Sequence, residues 1–259
     1  MNPAQFAPTE DLTAYPRTLA SDIQALSSSD LPGQVSALFL PPVSAMYPSG
    51  IQQDVSKQIG TFAEVKGFSH QMEGASRPTF FRGVATVVLK LFNIVQPDQT
   101  FFGQKDIQQC FVLRQLVRDL LLPHPPSPDH LVIVPTTRDS KTGLALSSRN
   151  AYLTKEEFQF APTLYSALQQ TAQTIKRCTG TITHAEAVSL GERFIAKSAS
   201  AAQASSIRLE LIYINLNSPD TLNPLEEVNK DTPVIISGAM WLGKTRMIDN
   251  LVVNFKLNA

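Results

Sequence analysis

Short apolar runs and helically spaced apolar positions alternate along the first half of the chain. Continuous runs at 35–40, 100–102 and 131–134 predict buried strands, because a strand covered on both faces has no polar side. Apolar positions three and four residues apart predict helices over 83–95 and 106–121. Strands joined by such crossovers pair in parallel, so this half is predicted to be a doubly wound α/β domain.

The second half has a different pattern, which predicts a smaller α+β domain. Thr154 and Glu157 have the spacing of a capping box, so a helix is expected to begin there. Periodicity adds a second helix and three strand candidates, at 183–199, 207–215, 234–236 and 250–255. With the join placed near Thr136–Thr137, the predicted domains are 1–136 and 137–259.

Charge and composition exclude several classes of function. The chain has 259 residues, of which 43% are hydrophobic, so it can bury a core. Its 22 basic and 22 acidic side chains cancel, and no basic stripe predicts binding to nucleic acid or to a membrane surface. No apolar stretch reaches the roughly 18 residues of a membrane span, and no secretory signal is seen. Cys110 and Cys178 form no CxxC pair, which fits a reducing compartment, and we expect a cytoplasmic protein.

The first candidate binding segment follows the second predicted strand and reads Gly103-Gln104-Lys105-Asp106. Ligands of doubly wound sheets bind beyond the carboxyl ends of the strands, where this segment lies. Gly103 would let backbone approach a ligand, and Lys105 would supply a positive charge for phosphate. Asp106 would accept ribose hydroxyls or cap the following helix, and Gln109 one turn later offers both donor and acceptor. The alternative is an ordinary turn with a surface lysine, an N-cap and a solvated glutamine.

The second candidate segment reads Leu146-Ser147-Ser148-Arg149 and precedes the helix that begins at Thr154. Two hydroxyls, a guanidinium and the amides of a helix start would make an anion site. The alternative is an ordinary serine-rich loop that leads into the helix.

Two other observations bear on chemistry. Gln5 could hydrogen-bond a small polar substrate, although a residue so near the start could equally be frayed. None of the four histidines lies in an HxxxH or HxGH pattern, so the sequence supports neither a histidine metal site nor a histidine general base.

Taken in order, these segments resemble the pantothenate synthetase family. The resemblance is carried by NPAQF, EDLTAYPRTLASD, MYPSG, EGASRP, FRGVATVVLKLFNIVQPD, FFGQKDIQQCFVLRQLVRDL, PTTRDSKTGLALSSRNAYL and GKTRMIDN. It implies a Rossmann-like nucleotide-binding domain, a smaller C-terminal lid, ATP with Mg²⁺, and a homodimer. It also implies two chemical steps: pantoate attacks the α-phosphate of ATP, and β-alanine then displaces AMP from pantoyl adenylate.

The resemblance assigns roles to particular residues. It implies that Gln5 and Gln109 hold pantoate, with Asn2 beside them, and that the two glutamines converge on one small polar pocket. It implies that Gly103 to Asp106 contact the nucleotide, with Gln104 in place of the glutamate of the family's GEKD. Three further sets complete the implied site: Thr137 near the adenine; Leu146, Ser147, Ser148 and Arg149 as the phosphate clamp; and Lys105 and Arg149 as the catalytic cations. Phe80 stands where the family often has histidine. No metal ligands are assigned.

One departure from the family pattern concerns the start of the chain. The family begins with a strand, an MGALHEGH loop, a helix and a second strand, which then leads into VNPxQF. Met1 stands in place of that valine, so we expect the first two strands and the HxGH motif to be absent. The main hypothesis is therefore an AMP-forming ligase whose sequence begins late. The alternatives are a non-catalytic remnant that binds pantoate or pairs with an intact subunit, and a nucleotidyltransferase of the same superfamily.

Overall fold

The protein divides into two compact units, residues 1–62 and 63–259. The computed structural model describes residues 2–5, 15–28, 33–52 and 54–258, with the exception of the Gln5 side chain. The predicted join near Thr136–Thr137 lies within the second unit and stays a prediction.

The described residues of the first unit form two α-helices, α1 (Leu19–Leu26) and α2 (Val43–Met46). The predicted strand at 35–40 is wrong, because this segment has no strand pairing and its side chains are exposed, with Leu38 at 52% and Leu40 at 64%. A strand persists only where its backbone groups bond to a neighbour. Within the described residues no strand lies alongside this segment, so its apolar composition alone does not make it one.

The second unit opens with an α/β part. Its elements are α3 (Glu73–Ser76), α4 (Phe80–Val95), β1 (Thr100–Gly103), α5 (Ile107–Asp119) and β2 (Leu131–Val134). β1 and β2 pair in parallel with Thr100 opposite Leu131, and α5 makes the crossover between them. This confirms the predicted βαβ arrangement.

The two long helices of this part form where their apolar positions predicted them. Val84 and Phe92 lie in the buried face of α4, and Gln96 ends that helix in a left-handed conformation just before Pro97. Cys110 is fully buried on α5, and burial raises the pKa of its thiol to about 12. It therefore serves as a small hydrophobic residue of the core.

The remainder of the second unit is built around an antiparallel sheet. Its elements are α6 (Lys155–Phe158), α7 (Thr163–Arg177), β3 (Ile182–Thr183), α8 (His184–Ala204), β4 (Leu209–Asn217), β5 (Glu227–Val228), β6 (Val234–Leu242) and β7 (Thr245–Val253). β6 is the central strand of β4-β6-β7, and β3 pairs with β5. The predicted capping box is confirmed, because Thr154 accepts from the Glu157 amide and Glu157 accepts from the Thr154 amide.

The described residues therefore form a mixed α/β fold with one two-stranded parallel sheet and two antiparallel sheets, of three strands and two strands. A group of buried apolar side chains lies between α7, α8 and the three-stranded sheet, and includes Leu168, Ile195 and Met240. Among the described residues no helix combines the length and the apolarity needed to cross a bilayer.

Candidate active site

An open cleft lies in the second unit, where the turn after β1, the loop before α6 and strand β7 meet. Its polar walls are formed by Lys105, Ser147, Arg149, Asn150, Arg246 and Asp249, and its apolar walls include Leu144, Ala161 and Leu164. The cleft therefore brings together parts of both predicted binding segments.

Lys105 reaches the cleft because of how β1 ends. The strand stops at Gly103, one 3-10 turn covers Gln104–Asp106, and α5 begins at Ile107. Lys105 is half-buried and Gln104 is buried. Asp106 is exposed and its side chain does not cap α5, which removes one of the two roles that the sequence left open for it.

The Ser147–Arg149 wall is organised by its own backbone. Arg138 and Ala145 form an isolated bridge, and the Leu146 amide donates to the Thr137 carbonyl at 2.9 Å. Ser147 then caps a 3-10 helix, Ser148–Tyr152, by accepting from the Arg149 amide at 3.3 Å. A hydroxyl and a guanidinium thus stand at a helix start on the wall of the same cleft as Lys105, an arrangement suited to anions.

A buried ion pair, which the sequence analysis missed, supports this loop. Arg138 donates to both carboxylate oxygens of Asp249, at 2.7 and 2.8 Å, and to the carbonyl of Gly143 at 3.2 Å. Its guanidinium also lies 3.7 Å from the centre of the Tyr165 ring. Such a two-pronged bond is directional, so it fixes the loop against β7.

A second missed network holds Arg246. Its guanidinium bonds both carboxylate oxygens of Glu73, at 2.5 and 2.8 Å, and the Tyr213 hydroxyl donates to Glu73 at 2.6 Å. Burial opposes ionisation of Glu73, but the hydrogen bonds from Arg246 and Tyr213 outweigh it and hold the pKa of that carboxyl below its ordinary value. Burial and the neighbouring carboxylate raise the pKa of Tyr213. The charge of Arg246 is therefore already balanced at the cleft wall.

Strand β7 contributes a third polar residue, Asn250, which is only 2% exposed. It bonds the backbone of the turn that carries Lys105. The sequence itself holds a signal for two of these missed residues: Asn250 is a polar residue at the start of the predicted strand 250–255, and Asp249 lies next to it. Buried polar groups need partners, but the sequence does not say which partners.

The other predicted site residues of the second unit do not line the cleft. Leu146 is 56% exposed, Ser148 and Thr137 are not among the lining residues, and Gln109 is half-buried on α5. A Cβ atom on Gly103 would meet open space, so the backbone there is approachable.

In the first unit, the Asn2 side-chain oxygen accepts from the Tyr47 hydroxyl at 2.5 Å. The side chain of Gln5 lies outside the described residues, and its predicted convergence with Gln109 stays a prediction. Phe80 begins α4, with the Arg77 guanidinium 4.1 Å from its ring centre.

Family and sequence comparisons agree with one another. The chain matches the family model described as pantoate-beta-alanine ligase over residues 1–252. It is 39% identical over 265 residues to the pantoate-beta-alanine ligase of Saccharomyces cerevisiae, covering 98% of this chain and 81% of the yeast protein. It is 41% identical over 255 residues to the pantothenate synthetase of Pseudomonas savastanoi pv. phaseolicola, covering 97% and 78% of the two chains.

Solved structures give the same relationship. The pantothenate synthetase from Thermus thermophilus superposes with a TM-score of 0.78 at 38% identity, over 96% of this chain and 80% of that one. The pantoate-beta-alanine ligase from Francisella tularensis, solved in complex with beta-gamma ATP and beta-alanine, gives a TM-score of 0.67 at 30% identity, over 97% and 76%.

Proposed function

This chain belongs to the pantoate-β-alanine ligase family, and we propose that its cleft binds the phosphates of ATP during formation of pantoyl adenylate. The observation that carries the proposal is the convergence of Lys105, Ser147 and Arg149 on one cleft. Two cations and a hydroxyl, from two segments far apart in sequence, complement the negative charge of a nucleoside triphosphate.

The reaction joins pantoate to β-alanine in two displacements. A carboxylate oxygen of pantoate attacks the α-phosphorus of ATP, the bond to the β-phosphate oxygen breaks, and pyrophosphate leaves. The amine of β-alanine then attacks the activated acyl carbon, AMP leaves with the electron pair of the C–O bond, and the amine loses a proton. Because negative charge moves onto pyrophosphate in the first step, fixed cations that face it lower the barrier.

The remaining site assignments are proposals of the same kind. Gly103, Gln104, Asp106 and Thr137 contact the nucleoside part of ATP, and Leu146 and Ser148 complete the clamp around Ser147 and Arg149. The exposure of Asp106 and the open space beside Gly103 support this assignment. Gln5, Gln109 and Asn2 bind pantoate, so their replacement by alanine is expected to raise the KM for pantoate.

Magnesium fits this site as part of its complex with ATP. Mg²⁺ prefers phosphate oxygens and water, with one or two protein carboxylates. The described residues contain no group of three candidate ligands from His, Cys, Asp and Glu, and Asp249 is already bonded to Arg138. Bound as part of its complex with ATP, the ion would supply charge neutralisation at the phosphates.

Three further statements are proposals that follow from the family. The β1-α5-β2 unit supports a Rossmann-like, doubly wound arrangement, whereas the expected absence of the first two strands stays a prediction. A cytoplasmic location stays a proposal as well. A homodimer is also proposed, and sedimentation velocity of the purified chain would measure its oligomeric state.

Pantoate-dependent exchange of pyrophosphate into ATP tests the assignment of the clamp. In the full chain, Lys105→Ala and Arg149→Ala should each slow exchange by the equivalent of about 2–4 kcal/mol in the transition state. Calorimetry should show little change in the affinity for pantoate. Lys244→Ala, which removes an equal charge from an exposed turn outside the cleft, is the control. Exchange at the parent rate in Lys105→Ala or Arg149→Ala would contradict the assignment of the clamp. If the parent chain binds pantoate but does not catalyse exchange, the non-catalytic alternative is favoured.

A further inference from the structure

We propose that Asn250 is a positioning residue for adenylation, which holds the backbone of Lys105 at the cleft wall. The inference rests on the proposed role of Lys105 as a phosphate-binding cation. Asn250 is 2% exposed and does not line the cleft, so it acts through Lys105 and not on the substrate.

The side-chain amide of Asn250 is matched to the turn that follows β1. Its Nδ2 donates to the carbonyl oxygen of Gln104 at 2.9 Å and to the carbonyl oxygen of Lys105 at 3.0 Å. Its Oδ1 accepts from Nε2 of Gln104 at 3.2 Å. Both N–H donors of the Asn250 side chain are therefore used, and they hold two consecutive backbone carbonyls.

The chemistry of these bonds allows one side chain and one orientation. An amide turned the other way would set its oxygen against two carbonyl oxygens, and an aspartate in its place would do the same. A buried polar group without a partner costs about 1–3 kcal/mol. The position therefore requires a short side chain that carries two donors and one acceptor.

Strand β7 connects the two cationic walls of the cleft through adjacent residues. Asp249 bonds Arg138, at the base of the loop that leads to Ser147 and Arg149. Asn250, the next residue, bonds the Lys105 turn, and its backbone amide donates to the Asp249 carboxylate at 2.8 Å. The spacing between the walls is thereby set by one short stretch of strand, and a shift of about 1 Å in a catalytic group can cost on the order of 100-fold in rate.

The test is a double-mutant cycle on pyrophosphate exchange in the full chain. Asn250→Asp should lower kcat for exchange by about 10- to 100-fold, with a smaller effect on the KM for ATP. Lys105→Ala should lower kcat further. The double variant should be no slower than Lys105→Ala alone, because Asn250 acts only by positioning Lys105 and its loss has no further effect once the lysine side chain is gone. A residue with only a structural role would give additive losses.

Asn217→Asp is the matched control. Asn217 is 1% exposed on β4, and its Nδ2 donates to the Leu222 carbonyl at 2.8 Å, in a region that does not line the cleft. This variant should lose comparable thermal stability but keep the exchange rate. If Asn250→Asp does not fold, Asn250→Ala, which removes the side-chain amide without burying a charge, takes its place in the cycle.

The outcomes separate this proposal from the one on which it rests. If Lys105→Ala exchanges normally, the clamp assignment and the positioning role both fall. If Lys105→Ala is slow while Asn250→Asp behaves like Asn217→Asp, or while the two losses add, the clamp stands and the positioning role is wrong. A non-additive cycle with a normal Asn217→Asp control supports it.

Discussion

Glu73 lies behind the cleft wall and is bonded to two partners far along the chain, Tyr213 and Arg246. Because its pKa in the folded protein lies below the ordinary 4.5, its contribution to stability is complete above that pH and is lost as the pH falls through the folded value. We predict that Glu73→Gln lowers the free energy of unfolding by about 1.5–3 kcal/mol near neutral pH. The difference from the parent should shrink as the pH drops below about 4.5.

Urea unfolding at several pH values between neutral and about 3 measures this difference, and Glu210→Gln is the control. Glu210 pairs with Arg208 at 2.6 Å, but both side chains are more than half exposed, so its loss should cost about 1 kcal/mol or less. A Glu73→Gln difference that stays constant or grows on acidification contradicts the assigned direction of the pKa.

At this same scale the sequence predicted single residues better than pairs. Lys105, Ser147 and Arg149 were singled out because their segments resemble the family's motifs, since the local patterns alone fit ordinary turns equally well, and their roles stay predictions. The pairing of Arg138 with Asp249, 111 positions apart, could not, because it depends on how the loop and β7 fold together. For Asp106 the sequence left two roles open, and one of them is wrong, because its side chain does not cap α5.

Among the elements, α7 and α8 form a close contact at a glycine. A Cβ atom on Gly191 would lie 2.7 Å from the Ala167 carbonyl oxygen and 2.7 Å from the Thr171 hydroxyl. In an open helix, alanine would be more stable than glycine by up to about 1 kcal/mol. Here the clash outweighs that gain, and we predict that Gly191→Ala destabilises the protein by about 1–3 kcal/mol.

Chemical denaturation followed by circular dichroism checks the sign. Gly180→Ala is the control, because a Cβ atom there meets nothing within 4 Å and the residue precedes β3 in the same region. Its effect should be near zero or slightly stabilising. Equal effects of the two substitutions would show that the helices can separate without cost.

Elements with strong internal periodicity were predictable, and those that depend on neighbours were not. α4 and α5 follow their apolar spacing, and both strands of the parallel pair lie at the predicted runs. The segment at 35–40 has an equally apolar run but no pairing partner among the described residues. For β6 the predicted strand was too short. The apolar run predicted 234–236, but pairing with a strand on each side extends β6 past Gly238 to Leu242.

On the scale of the whole molecule, charge gives no preference for a ligand. The 22 basic and 22 acidic side chains cancel, so attraction of a polyanion must come from a few cations held in place and not from a general field. Lys105 and Arg149, on the walls of the cleft, are the cations to which we assign this role. Affinity for ATP should therefore depend on two residues.

Thermal unfolding in the presence of nucleotide tests that dependence without requiring turnover. A ligand at about 100 times its Kd stabilises the folded state by about 2.7 kcal/mol, which is a rise in Tm of roughly 5–10 °C for a chain of this size. We predict such a rise with magnesium and ATP and a clearly smaller one with AMP at the same concentration, since AMP lacks the phosphates that the two cations meet. Lys105→Ala and Arg149→Ala should each remove most of the ATP effect, whereas Lys244→Ala, with the same change in net charge, should retain it. A full ATP shift in Lys105→Ala, or equal shifts with AMP and ATP in the parent, would show that the nucleotide is held elsewhere.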